Sequence, residues 1–298
     1  MVESIGAVFF YGEILMADAS LISSSQAVLL GLIEGITEFL PVSSTGHLVI
    51  ADHFLGLRDP ARLSSSELGA ISAFEIVIQG GAIIAVAWAF LRRVKTMLLG
   101  LLGKDPDGLR LVVNLIAAFL PAAVFGLLLH DFIEENLQSA WPVVAALAAG
   151  GLAMILYERS SLAQTRRASG FSVDALTWKM AVVIGLAQCV AMWPGTSRSM
   201  MTILGGIAIG MNPVAAAEFS FLLGLPTLLA ATALKSLKEG HLLVAHVGWS
   251  AMTIGIATAA LSAFFCVKGL LAWLARYGLA PFGWYRLALA AALLALLR

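Results

Sequence analysis

The chain has 298 residues, 60% of them hydrophobic and 12% charged, with zero formal net charge and a mean hydropathy of +0.94. Soluble domains carry about 25% charged residues, so this composition excludes an ordinary soluble domain and points to a polytopic membrane protein. Zero net charge offers no overall basic surface for nucleic acid, and Cys189 and Cys266, which have no CxxC spacing, read as packed thiols rather than a disulfide or a metal pair.

Residues 1–22 read as a lead-in. They carry Glu3, Glu13 and Asp18 and lack the basic start of a cleavable signal peptide. A helical pattern begins near Ala27 and must stop or kink at Pro41. Its fourteen or so residues reach only ~21 Å at 1.5 Å per residue, against a bilayer core of ~30 Å. The helix is therefore expected to dip into the membrane and stop. Glu34 and Glu38, four residues apart, share one face of it, and acidic groups at such depth usually mark a site. Ser43, Ser44, Thr45 and His47 follow, then a second short apolar piece at 48–57. Together the two pieces make a helix–loop–helix entering and leaving by one face.

Full spans are expected at about 70–91, 111–129 and 141–157. The first contains Glu75 and Gln79 and is closed by Arg92, Arg93 and Lys95; an acidic loop with His130, Asp131, Glu134 and Glu135 separates the other two. After a polar loop at 158–179 the opening plan recurs. About fourteen apolar residues (180–193) end at Pro194, then come Gly195-Thr196-Ser197-Arg198-Ser199 and a short piece at 200–210. Further spans are expected at about 215–234, 247–271 and 282–297. Gly31 and Gly35 form a small-xxx-small pair suited to close helix packing.

The expected fold is thus an all-α polytopic membrane protein: an inverted repeat with two re-entrant helix–loop–helix elements plus about six full transmembrane helices. Residues 23–298 form a single membrane-embedded domain, with repeats at about 27–157 and 177–298. Three spans between the dips make the second enter from the opposite face, so that the broken helices meet near the midplane. Loops 92–110 and 158–179 hold five and four Lys/Arg and loop 130–140 none. The first two loops are therefore assigned to the cytoplasm and the first dip to the outer face.

The residue types suit phosphoryl transfer at a membrane. Arg198 offers a planar fork for phosphate oxygens, and a helix N-terminus adds backbone N–H donors. A serine can attack phosphorus if a neighbouring base, here His47, takes its proton. Glu34 and Glu38 can hold a divalent cation or act as acid and base. Glu75 and Glu218 are candidate supporting groups.

The motifs at 34–47 (Glu-Gly-Ile-Thr-Glu-Phe-Leu-Pro-Val-Ser-Ser-Thr-Gly-His) and 194–199 (Pro-Gly-Thr-Ser-Arg-Ser) closely resemble the two signatures of the bacterial undecaprenyl-diphosphate phosphatase family of the bacitracin-resistance type. The resemblance runs from about residue 24 to the C-terminus and includes 73–79, 218–223 and the ending Pro281-Phe282…Tyr285-Arg286. The second motif departs from the family form at Met200, where glycine is usual.

The resemblance implies a multi-pass phosphatase of the bacterial cytoplasmic membrane, its site opening to the outer face. It would hydrolyse undecaprenyl diphosphate to the monophosphate carrier for cell-wall synthesis and confer bacitracin resistance. Carried over, Glu34 and Glu38 are the acidic pair, working with Mg²⁺ or Ca²⁺ or as acid and base. Ser44 is the candidate nucleophile with His47 as base, or His47 activates water. Arg198 holds the diphosphate, helped by Ser43, Thr45, Thr196, Ser197 and Ser199. The expected partners are an isoprenoid diphosphate lipid, membrane lipids and a second copy in a homodimer.

Two rival readings stand beside this one. A lipid phosphatase with a histidine nucleophile needs a histidine four residues after Ser197-Arg198, and Thr202 stands there. A transporter or flippase for an anionic lipid shares the inverted plan, and phosphate release separates it from an enzyme.

Overall fold

The computed structural model describes residues 20–59, 61–137 and 139–296, which are helical apart from turns, connecting loops and an isolated parallel bridge between Phe171 and Met211. The expected lead-in lies largely outside the described residues. At its end Leu21 N–H donates to His246 O and Ile22 is buried.

The first short helix, α1 (Ser24–Thr37), starts from a capping box in which Ser23 and Gln26 satisfy each other's backbone N–H groups. It is fourteen residues long and ends before Pro41, as the proline predicts. A turn at 38–42 leads to α2 (Ser44–Leu55), which begins four residues earlier than expected because Ser43 caps it, its hydroxyl accepting from Gly46 N–H. Ser44, Thr45 and His47 therefore stand on the first turn of a helix, not in a loop. The span α3 (Ser65–Ala89) is also capped by a Ser–Glu box.

Loop 92–110 is not wholly loop. It opens with α4 (Leu91–Leu101), which buries Met97 and Gly100 and exposes Arg92 and Lys95. Such an amphipathic segment suits the membrane surface. Next come α5 (Pro106–Leu128), the short α6 (His130–Leu137) where a loop was expected, and α7 (Ala140–Arg159). The polar 158–179 segment contains α8 (Ser161–Ser169) and a single 3₁₀ turn, Val173–Ala175. Arg93 of α4 donates to Asp174 at 2.6 Å and to Glu218 at 2.8 Å, so the two basic segments lie at the same end of the molecule. The Arg93 guanidinium beside Asp174 holds that carboxyl below its usual range.

The second half opens with α9 (Trp178–Val190) and α10 (Arg198–Ile209). A 62-residue helical run, Pro213–Leu274, follows. Straight, it would reach ~93 Å, three times the ~30 Å of a bilayer core. It breaks instead at a π turn, Leu243–Val247, and at Gly248, whose φ of 77° glycine alone adopts freely. The result is α11 (Pro213–Leu242) and α12 (Gly248–Leu274), both packed on α3. The last helix is α13 (Ala280–Leu296). By length and composition, α3, α5, α7 and the Pro213–Leu274 run can cross a membrane. The outer surface agrees: Leu127, Leu128, Leu237, Phe54 and Phe265 are among its exposed apolar side chains. Trp88, Trp141, Trp178 and Trp249 are exposed at helix ends, where aromatic belts form.

Packing crosses between the halves. α1 lies along α12, α9 along α5, and α7 along α13. Gly31 and Gly35 make the first of these contacts possible. A Cβ on Gly31 would lie 2.5 Å from Gly255 O, and one on Gly35 would lie 2.3 Å from Ala259 O. On α9, Gly185 meets Ala118 O of α5 at 2.3 Å in the same sense. Gly35→Ala is expected to force α1 from α12 at a cost of about 1–3 kcal/mol. Its detergent-solubilised melting temperature should fall by several degrees, and an unchanged one would refute the close approach.

Candidate active site

Both helix breaks are built alike. Ser43 and Ser197 are the two non-glycine residues with positive φ among the described residues, at 74° and 75°. Each caps the helix after it, Ser43 accepting from Gly46 N–H and Ser197 from Met200 N–H. A β-carbon in this region is strained, and such strain persists where the surroundings enforce it, often at functional sites. The consequence is geometric: the N-terminal turns of α2 and α10 both face one cavity of about 210 Å³. Its walls include Glu38, Ser43, Ser44, Thr45, Ser197 and Arg198. First-turn N–H groups without intrahelical acceptors, at two helix N-termini, favour an anion there.

Glu38 is the hub. Its Oε1 accepts from Arg198 Nη2 at 2.8 Å and its Oε2 accepts from Ser44 Oγ at 3.0 Å. One carboxylate thus joins the two halves of the chain. Arg198 is fixed further by donating Nη1 to Ser220 O at 2.9 Å and by lying over the Phe39 ring. It runs so close to α11 that a Cβ on Gly224 would sit 2.9 Å from Nη1. Ser199 ties the breaks from below, donating to Leu40 O at 3.0 Å and sharing a hydrogen bond with Ser197. Thr196 is buried in the same turn. The Met200 side chain packs against Gly150, where a Cβ would lie 2.8 Å from its sulfur.

Of the sequence-predicted residues, Glu38, Ser43, Ser44, Thr45, Ser197 and Arg198 meet at the cavity, while Glu34, Thr196 and Ser199 are buried and do not line it. His47 does not serve Ser44. Its Nδ1–H donates to Ser43 O at 2.7 Å, and its Nε2 accepts from Tyr285 OH at 2.7 Å, the two rings stacked. The group in hydrogen-bond contact with Ser44 is Glu38.

Glu34 lies one helical turn before Glu38, fully buried, with both carboxyl oxygens lacking a partner. The charged groups acting on it are Glu38, Glu75 and Arg198. Glu75 in turn accepts from Arg58, which also holds the buried Asp52. Among the described residues no three His, Cys, Asp or Glu side chains are placed to hold a metal. The orphaned oxygens of Glu34 beside Glu38 nonetheless suit a hard cation of the Mg²⁺ or Ca²⁺ kind, since Mg²⁺ commonly takes one or two carboxylates and fills its shell with substrate phosphates and water.

Sequence reasoning missed Arg58, Asp52, Ser220, Tyr285 and Arg286 as parts of this assembly. Tyr285 and Arg286 carried a signal only as part of the recognised C-terminal motif. A second polar cavity, about 310 Å³ and lined by Arg93, Asp105, Arg110, Asn114 and Asp174, lies at the basic-loop end and gathers none of the predicted residues.

Comparison with known proteins agrees with the motifs. The chain is 48% identical over 271 residues to an undecaprenyl-diphosphatase of Sorangium cellulosum, covering 90% of this chain and 85% of that protein. It is 42% identical to one from Ectopseudomonas mendocina, covering 91% and 92% of the two chains. It is 43% identical to undecaprenyl-diphosphatase 2 of Rhodospirillum rubrum, covering 91% and 93%. The family model described as bacitracin resistance protein BacA matches residues 27–292, nearly the whole described chain, and the chain therefore belongs to the BacA family.

Proposed function

We propose that this protein is a membrane phosphatase that hydrolyses undecaprenyl diphosphate to undecaprenyl phosphate and phosphate. It would thereby recycle the lipid carrier for cell-wall synthesis and confer bacitracin resistance. The observation that carries the reading is the Ser44–Glu38–Arg198 chain, which spans two helix N-termini facing one cavity. A nucleophile, a base in contact with it and an anion clamp are the parts that phosphoryl transfer needs.

In this reading Arg198 turns part of its guanidinium from Glu38 to the diphosphate, which leaves one Glu38 oxygen free. Glu38 takes the Ser44 proton as Oγ attacks the terminal phosphorus. The lipid monophosphate leaves, and water then cleaves the phosphoserine to release phosphate and restore Ser44. Thr45, Ser197 and first-turn amides hold the phosphoryl oxygens, Ser43 sets the strained turn, and the buried Ser199 ties that turn to the second break through Leu40 O. His47 holds the first break to α13. Glu34 and Glu38 would hold Mg²⁺ or Ca²⁺, which when bound neutralises charge developing on the phosphoryl oxygens.

The paired features of the two halves support an inverted repeat. They are the positive-φ serines, the approach glycines Gly31 and Gly185, and the exchange of partner spans. The charge asymmetry of the loops supports a cavity opening to the outer face of the bacterial cytoplasmic membrane. The test is phosphate release from farnesyl or undecaprenyl diphosphate by detergent-purified protein. Release is expected, and a chelator should abolish it until Mg²⁺ or Ca²⁺ is restored. No release by folded protein under any cation would overturn the phosphatase reading and turn attention to lipid movement.

A further inference from the structure

The largest fully buried side chain among the described residues belongs to the C-terminal Tyr285-Arg286 motif and has no part in the proposed reaction. Arg286, on α13, is 0% exposed. Among the described residues all its hydrogen bonds go to main-chain carbonyls. Nε donates to Leu147 O at 3.2 Å, Nη2 to Ala146 O at 2.9 Å and to Gly195 O at 2.8 Å, and Nη1 to Pro41 O at 3.4 Å. Two of these carbonyls belong to α7. The other two are Pro41, in the first helix break, and Gly195, in the second. One guanidinium therefore touches both breaks at once.

A cation buried without a carboxylate is costly, and a rigid planar fork is the side chain best suited to fix several acceptors in a set geometry. The surroundings make room for it. Gly150 on α7 faces the guanidinium, and a Cβ there would lie 2.6 Å from Nη2. Gly195 has φ of 90° and presents its carbonyl to Arg286 while its Cα packs on Val143. The adjacent Tyr285 holds His47, which holds Ser43 O. The Tyr285-Arg286 pair thus grips the first break at two points and the second at one.

We propose that Arg286 is a positioning residue that locks the two helix breaks to each other and so sets the separation of Ser44 and Arg198. This role rests on the phosphatase reading, because what it aligns are the groups that reading assigns to the diphosphate. Substrate contacts come from both breaks. Loosening the lock should therefore weaken ground-state binding as well as turnover, whereas a partly unfolded preparation lowers kcat and leaves KM in place.

The experiment is steady-state phosphate release from farnesyl diphosphate by wild type, Arg286→Met, Arg286→Lys and Gly150→Ala, with melting temperatures measured alongside. Arg286→Met is expected to raise KM about 10-fold, equivalent to about 1.4 kcal/mol. Arg286→Lys, which keeps a cation but not the fork, should raise it less. Gly150→Ala, which leaves Arg286 in place and pushes its Nη2 from Gly195 O, should shift KM in the same direction. A folded Arg286→Met with wild-type KM overturns the role. If that variant does not fold, wild-type KM in both Arg286→Lys and Gly150→Ala overturns it. An active wild type with unmoved variants refutes this role alone, while a wild type that releases no phosphate refutes the phosphatase reading and this role with it.

Discussion

Arg198→Ala is expected to lower kcat/KM for phosphate release by at least about 10³-fold, the scale seen when a cation that stabilises a phosphoryl transition state is lost. The structure gives the reason. Arg198 is the cation on the cavity wall, held by Glu38 Oε1 and Ser220 O, its stem along Phe39 and Gly224. Alanine also leaves Glu38 buried with only a serine for company. Removing one partner of a buried pair costs about 3–5 kcal/mol, so a lower melting temperature should accompany the loss. Arg198→Lys separates the two effects. A lysine can still neutralise Glu38, and stability should largely return, but a point charge cannot reproduce the planar fork and activity should stay low. More than a tenth of wild-type turnover in folded Arg198→Ala would remove Arg198 from the proposed mechanism.

Ser44→Ala is expected to cut turnover to a comparable extent, by about 10³-fold, since attack by an activated nucleophile is lost. Stability should hardly change: the variant removes one hydrogen bond to Glu38, worth about 1 kcal/mol. Burst-phase kinetics on wild type add a second reading, since a phosphoserine intermediate yields lipid monophosphate before free phosphate. Ser44→Ala that keeps most of its turnover would assign the attack to water, with Glu38 as its base.

The broken helices were legible because length and proline are local signals. The apolar stretches ending at Pro41 and at Pro194 form the short helices α1 and α9, of 14 and 13 residues, and the carboxylates at the end of the first share a face by helical spacing alone. The grouping of Glu38, Ser44 and Arg198 was legible in the hydroxyls and the arginine gathered at the two breaks, but the expected second pieces began at 48 and 200, so that Ser44 and Arg198 open their helices emerged only in the structure. What the sequence could not disclose is contact over long separations. His47 has the chemistry of a base for Ser44, and spacing alone allows it. Only the fold brings Tyr285 to its second ring nitrogen and leaves Glu38 beside the serine. Arg286 reads as an ordinary arginine at the start of an apolar helix, and nothing local says that four carbonyls await it. The amphipathic α4 was hidden for another reason: its three basic residues mark a loop by charge, while its buried face (Met97 and Gly100) emerges only against α5.

The exchange of partners between halves has a consequence for how the chain is made. The Gly31–Gly35 face of α1 is covered by α12, whose last residue, Leu274, follows Thr37 by more than two hundred positions. At about 5–20 residues per second, the ribosome needs roughly 10–50 s to supply that cover. Throughout this interval Glu34 and Glu38 must wait in or near the bilayer without Arg198 for a large part of the time and without their packing helix for all of it. The nascent protein therefore passes through a stage in which its future site is a membrane-insertion liability. Two separately expressed halves could each be inserted, but neither could close its own broken helix until it met the other.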